Sequence, residues 1–139
     1  MKKSIVCFVL FLSFAAHASN FLTEGTLDGK MGMFFKKKCS MDIELVEKTS
    51  QMLGKYKEYE ITARTKNENI EFLASLSSAE IAIESGELGT ANGSDTSGTI
   101  LTVELDPEGT PLSYKVVEHL TLFGFSRNKT IINCKNLQN

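Results

Sequence analysis

Three cysteines, a histidine near the far end and a run of lysines are the residues whose types and spacing bear on chemistry in this chain. Cys39 follows Lys36, Lys37 and Lys38, and neighbouring cations favour the thiolate, the reactive form of the side chain. Two features argue against a redox or nucleophilic thiol. No Cys-x-x-Cys spacing occurs, and alternate side chains of a strand point to opposite faces, so at most Lys37 shares the side of Cys39. Cys7 lies in an N-terminal apolar run that reads as a removable export signal, which leaves Cys39 and Cys134 as an even pair in an oxidising compartment. Each sits on the apolar face of a strand-like run: Cys39 with Met41, Ile43 and Leu45, and Cys134 with Ile132. A Cys39–Cys134 disulfide is therefore predicted, worth about 4 to 5 kcal/mol by loop closure. It requires Cα atoms within about 7 Å, so the two strands that carry it are expected to be neighbours or to face each other.

His119 is the one histidine outside the N-terminal run. That leaves most metal sites short of ligands and offers a single base to any Ser or Cys triad. Ser113 and Asp106 are close to it in sequence, but Gly124-Phe125-Ser126-Arg127-Asn128 departs from the Gly-x-Ser-x-Gly elbow at its last position. His119 is read as an ordinary surface or strand-end residue. No catalytic residue, metal ligand or cofactor is assigned.

Asp95-Thr96-Ser97-Gly98 resembles the Asp-Thr/Ser-Gly motif of aspartic proteases, which set two such aspartates side by side to share a proton. Here an extra residue precedes Gly98, the flanks are polar and there is no second copy, so the stretch reads as a loop. It also lacks the ordered oxygen ligands of a calcium-binding loop. A glycosidase-like pair of carboxylates depends on a spatial separation that sequence does not reveal. Asn92-Gly93-Ser94 and Asn128-Lys129-Thr130 match the glycan acceptor pattern; beside a bacterial-type start they read as chance.

That start is Met1-Lys2-Lys3 followed by an apolar run from Ile5 to Ala16 and the small-residue pattern Ala16-His17-Ala18. It matches a signal peptide over residues 1–18 with cleavage after Ala18. The run is shorter than the roughly 20 residues a membrane-spanning helix needs, and no later run is as apolar. A single exported domain over residues 19–139 is expected, in the periplasm or outside the cell. Without Lys2 and Lys3 its 13 basic residues face 17 acidic ones. A mildly acidic balance fits poorly with nucleic acid, whose binding rests on a basic face.

Period-two alternation dominates the rest. Tyr59, Ile61 and Ala63, then Leu101, Val103 and Leu105, then Leu112, Tyr114 and Val116 each form the apolar side of an expected strand. Leu120 to Phe125 is rich in apolar and aromatic residues and reads as a further half-buried strand. Asp106-Pro107-Glu108-Gly109 predicts a hairpin turn, with softer turns at residues 66–69 and 126–129. Residues 70–83 fit two short strands with a parity change at Ser77-Ser78, the preferred reading, or one helical face carrying Phe72, Leu76, Ala79 and Ile83. A helical turn within residues 46–54, stopped by Gly54, is also expected. Gly86 to Gly98 reads as a mobile loop.

The expected fold is mostly β: a single small antiparallel barrel or sandwich closed by one disulfide. The chain contains no Trp and so lacks the Gly-x-Trp opening of lipocalins; no family is assigned. The functional expectation is a binding or interaction domain for a small apolar ligand or a protein partner, in contact through the barrel interior or the 86–98 segment. Two alternatives are a small secreted hydrolase built on a Glu/Asp pair and an envelope-associated structural subunit. The last would use Phe34, Phe35, Lys36, Lys37 and Lys38 as a contact strip, since basic beside apolar residues suits an anionic membrane surface. The same lysines also serve to blunt an edge strand.

Overall fold

Alternation along Cys39, Met41 and Ile43 buries those three side chains while Asp42 and Glu44 face outward, so the run folds as one long strand rather than a helix. The computed structural model describes residues 21–94 and 96–139. The expected signal peptide over residues 1–18 with its expected cleavage after Ala18, Cys7, and Asp95 of the Asp-Thr-Ser-Gly stretch lie outside the described residues. The strands are β1 (Gly25–Met31), β2 (Lys37–Ser50), β3 (Gly54–Thr65), β4 (Asn69–Ser75), β5 (Glu87–Gly93), β6 (Ser97–Leu105), β7 (Pro111–Leu122) and β8 (Phe125–Gln138). A short 3₁₀ turn, Met33–Phe35, joins β1 to β2, and one helix, α1 (Leu76–Ser85), joins β4 to β5.

All eight strands belong to one antiparallel sheet in the order β4-β3-β2-β1-β8-β7-β6-β5. The two ends of that order curl together into a nearly closed barrel. Side chains rather than a backbone ladder bridge the remaining seam. Thr90 Oγ1 donates to the Leu73 carbonyl at 2.7 Å, and Asn92 Nδ2 donates to the Glu71 carbonyl at 2.8 Å. Of the two expected architectures, barrel and sandwich, the molecule takes the barrel.

The predicted Cys39–Cys134 disulfide is present, with a Cα separation of 5.9 Å. Its two strands are not adjacent: β1 runs between β2 and β8. The bridge spans β1 at Gly29, which pairs with Cys39. A Cβ at Gly29 would lie 2.7 Å from Cys134 Sγ and 2.7 Å from the Lys135 carbonyl oxygen, so only glycine fits there.

Several local expectations are corrected. Residues 86–98 are not a loop: Gly86 ends α1 in the left-handed conformation, and β5 with the start of β6 takes up most of the rest. Residues 70–83 combine both readings, a strand to Ser75 and then a helix. Ser75 caps that helix by accepting from Ser78 N–H at 3.2 Å, the arrangement that satisfies an orphan amide of the first turn. Residues 46–54 hold no helical turn, because β2 runs on to Ser50 and turns tightly into β3. The turn placed at residues 126–129 falls inside β8; the chain reverses at Phe123-Gly124, both at positive φ (51° and 80°). Leu112 is exposed rather than inward, because the β6–β7 register shifts beside it and buries Pro111 instead. The 106–109 turn forms as expected, with Asp106 Oδ1 accepting from the Glu108 and Thr110 amides at 3.0 and 2.9 Å.

The core fills the barrel. Tyr59, Tyr114, Phe72, Met41, Ile61, Leu101 and Ile132 are among its fully buried side chains. Helix α1 packs on β3, β4 and β5 and lays Ala79, Ala82 and Ile83 over one end. Leu22 completes that closure: its side chain is buried, and its amide donates to Tyr59 Oη at 3.2 Å.

Candidate interaction surface

Packing removes the interior as a place for a small ligand. Tyr59 and Tyr114 occupy the space such a ligand would need, each with its hydroxyl engaged, and Tyr114 Oη donates to the Ser40 carbonyl at 2.8 Å. Burial pushes the Tyr114 hydroxyl well above its ordinary range and that of Tyr59 in the same direction, so both stay neutral. Concave regions are instead open grooves on the outside. One is lined by Met31, Lys36, Lys38, Arg64, Lys66 and Ile131 among others.

The sequence-derived chemical constellations do not assemble. His119 sits on β7 with Nδ1 2.6 Å from Asn128 Oδ1 and Nε2 3.1 Å from Thr121 Oγ1. Ser113 lies six residues back along the same strand, about 20 Å away at the rise of an extended chain, and donates to Glu104 at 2.9 Å. Asp106 caps the turn at the opposite end of β7. Among the described residues, no three His, Cys, Asp or Glu side chains gather as metal ligands. Glu58 and Glu60 do converge, but on Lys48: it forms an ion pair with Glu58 and another with Glu60 at 3.3 Å on the outer face of the β2–β3 ribbon. The hydrogen bond to Glu58 is the main cause holding the Lys48 ammonium above its usual pKa. Lys48 and Glu60 also line a shallow open groove with Glu71 and Asn92, where the ammonium offsets the carboxylates.

Sheet register produces a different kind of feature. The β7–β8 ladder continues from Tyr114–Cys134 out to Leu122–Phe125. Its neighbours stop earlier: β6 pairs with β7 as far as Leu120, with one further bond from Thr121 N–H to the Thr96 carbonyl at 2.7 Å, and β1 pairs with β8 only at the levels of Lys135 and Gln138. The end of the hairpin is thus a two-stranded ribbon beyond the rim. Its turn needs two residues at positive φ, the geometry whose twist suits a two-residue hairpin. Gly124 meets that demand freely and Phe123 less so. Phe123 is 97 % exposed, Phe125 81 % and Leu122 55 %. The sequence reading missed this tip by running a strand through Leu120–Phe125; the Phe123-Gly124 pair between alternating residues was the available signal.

The sequence-derived strip lies at the same end of the barrel, in the β1–β2 connection. Phe34 has positive φ (64°) and is 78 % exposed, with Met33 exposed beside it. The Lys36 ammonium stands 5.8 Å from the Phe34 ring centroid, within cation–π range. Lys37 and Lys38 follow as exposed residues at the start of β2; the side chain of Phe35 lies outside the described residues. The strip is therefore partly apolar and partly cationic, and it faces solvent.

Charge is divided between the two ends. At the open end, Lys30 and Lys36 to Lys38 flank the β1–β2 connection, Lys66 lies in the β3–β4 turn, and Arg127 and Lys129 lie just behind the hairpin tip. Carboxylates are fewer among the described residues there: Glu68 and Glu118, with Asp28 in the groove shared by Lys36 to Lys38 and Lys66. The helix end is acidic: Glu24, Glu80, Glu84, Asp106 and Glu108 lie around the closure, and the β2–β3 ribbon adds Glu44, Glu47, Glu58 and Glu60 against Lys48, Lys55 and Lys57. No helix among the described residues is long and apolar enough to cross a membrane.

The architecture is an antiparallel eight-stranded barrel with one helix over an end and one internal disulfide. No family model matches the sequence, and searches among characterised proteins and solved structures find no match.

Proposed function

We infer that this chain is an exported, non-enzymatic interaction domain that works through one end of its barrel rather than through a ligand held inside. One observation carries the reading: the interior is packed, while the β7–β8 hairpin holds Leu122, Phe123 and Phe125 in solvent beyond the rim. Exposed apolar side chains in contiguous patches mark interaction sites, because leaving them wet opposes solubility unless something covers them. Export is supported by the signal-like start and by a buried disulfide, which suits an oxidising compartment. The carboxylates that converge, Glu58 and Glu60, are engaged by Lys48, which gives the hydrolase alternative little support, and the envelope-subunit alternative shares the same end of the barrel as the hairpin.

The test is fractionation of the host's envelope with the natural chain and with a Leu122→Thr, Phe123→Ser, Phe125→Thr variant of matched thermal stability. The natural chain is expected to co-fractionate with a larger assembly or with membrane, and the variant to be released. Recovery of the natural chain as a free monomer carrying a stoichiometric small molecule would contradict the reading.

A further inference from the structure

We propose that the partner at this end is an anionic phospholipid bilayer, which the barrel meets edge-on with its hairpin tip inserted. The proposal rests on the reading that the hairpin end is the working surface, and it adds what covers that surface.

The shape of the apolar residues argues for lipid. Phe123 stands at the apex of a two-residue turn, with Leu122 and Phe125 as the first pair behind it. Protein interfaces draw their energy from anchors seated in a packed, desolvated centre surrounded by a rim. Here the apolar group is a narrow tip backed on β7 by the partly exposed Leu120, and the exposed residues from 126 to 130 on β8 are polar or charged. A narrow apolar projection is well matched to the boundary between headgroups and acyl chains, where apolar groups enter by about 5–10 Å. Met33 and Phe34 supply a second projection on the neighbouring connection.

The charge pattern points the same way. The cations reach from the groove that Lys36, Lys37, Lys38 and Lys66 share with Asp28 and Glu68 round to Arg127 and Lys129 at the start of β8, so positive charge runs along the end and is not confined to one group. A diffuse collar of that kind complements a plane of anionic headgroups better than it complements a few paired carboxylates. The acidic helix end is repelled by the same plane. A domain with a net acidic balance is thereby oriented with its basic end towards the surface.

The chain has no Trp, so a single introduced indole reports its own surroundings. Two variants are compared: Phe123→Trp at the proposed inserting tip and Met52→Trp at the exposed β2–β3 tip of the acidic end. With vesicles of phosphatidylcholine mixed with phosphatidylglycerol, the emission of Phe123→Trp is expected to move to shorter wavelength, and salt to reverse the shift. Vesicles of phosphatidylcholine alone should leave it unmoved, and Met52→Trp should not respond to either. A Lys36→Glu, Lys37→Glu, Lys38→Glu variant should partition onto the anionic vesicles on the order of a hundredfold less, with an unchanged unfolding midpoint.

A silent Phe123→Trp, an equal shift on neutral vesicles, or an equal response from Met52→Trp would overturn the proposal. If Phe123→Trp is silent while envelope association still needs the hairpin tip, lipid is the wrong partner and the interaction reading stands on a protein. If neither experiment depends on the tip, both fail.

Discussion

Gly29 lies directly beneath Cys134: a Cβ on the glycine would come within 2.7 Å of the cysteine sulfur. The bridge to Cys39 can cross β1 only because that strand presents no side chain at the crossing. Closure of the domain and the composition of β1 are thus one requirement.

Gly29→Ala should therefore behave as overpacking, with a cost of about 1–3 kcal/mol read from urea unfolding. In a background carrying Cys39→Ala and Cys134→Ala, the same substitution should cost less without becoming neutral, because the sulfur is gone while the Lys135 carbonyl oxygen still lies 2.7 Å from the added Cβ. A cost that is identical in both backgrounds would show that the sulfur is not what excludes the side chain.

Removing the bridge by Cys39→Ala with Cys134→Ala should lower stability by about 4 to 5 kcal/mol, the loop-closure value for so distant a pair. Both positions are buried, so loss of packing adds to the effect. An unchanged denaturant midpoint would mean that the two cysteines are unpaired in the isolated protein.

Alkaline pH provides a check on the packed interior. Burial raises the pKa of Tyr114 and of Tyr59 above the unfolded value of about 10. A raised folded pKa means that the folded form keeps its proton where the unfolded chain has lost it. The stabilisation is complete below about pH 10 and is lost as pH rises beyond it, by up to about 1.4 kcal/mol per pH unit for each group. Tyr114→Phe should flatten this alkaline limb. At neutral pH it should cost about 1–3 kcal/mol, since the Ser40 carbonyl loses its donor. A limb with the same slope in the variant would contradict the assignment.

The β4–β5 seam should be the first part of the barrel to open. It is held by Thr90 and Asn92 side chains rather than by a strand ladder. Thr90→Val with Asn92→Ala should cost on the order of 1–2 kcal/mol and should speed amide exchange in β4 and β5 more than in β2 or β8. Uniform acceleration across the sheet would mean that the seam is not a separate weak point.

Strands with a full apolar face were legible in the sequence: Cys39–Ile43, Tyr59–Ala63 and Leu101–Leu105 bury the residues their alternation assigns, and Leu45 is half-buried at the end of the first series. The two strands that escaped notice have little apolar face to read. In β1 the inward series is interrupted by Gly29 so that the bridge can pass, and in β5 only Leu88 is buried while Thr90 and Asn92 serve the seam. Helix α1 was ambiguous because its buried positions are mainly alanines, which define neither period strongly. The proposed interaction surface was half legible. Phe34 to Lys38 stood out by composition, whereas Phe123 was concealed in an apolar run whose two-residue reversal only the β7–β8 register reveals.

Amide hydrogen exchange on the intact oxidised chain, with and without its own cell's envelope fraction, tests most directly whether the barrel works through its open end. Protection gained at residues 120–127 and 33–38, with none gained around Met52 or α1, is the predicted result. Protection centred on the helix end, or on interior strands without change at the hairpin, would contradict it.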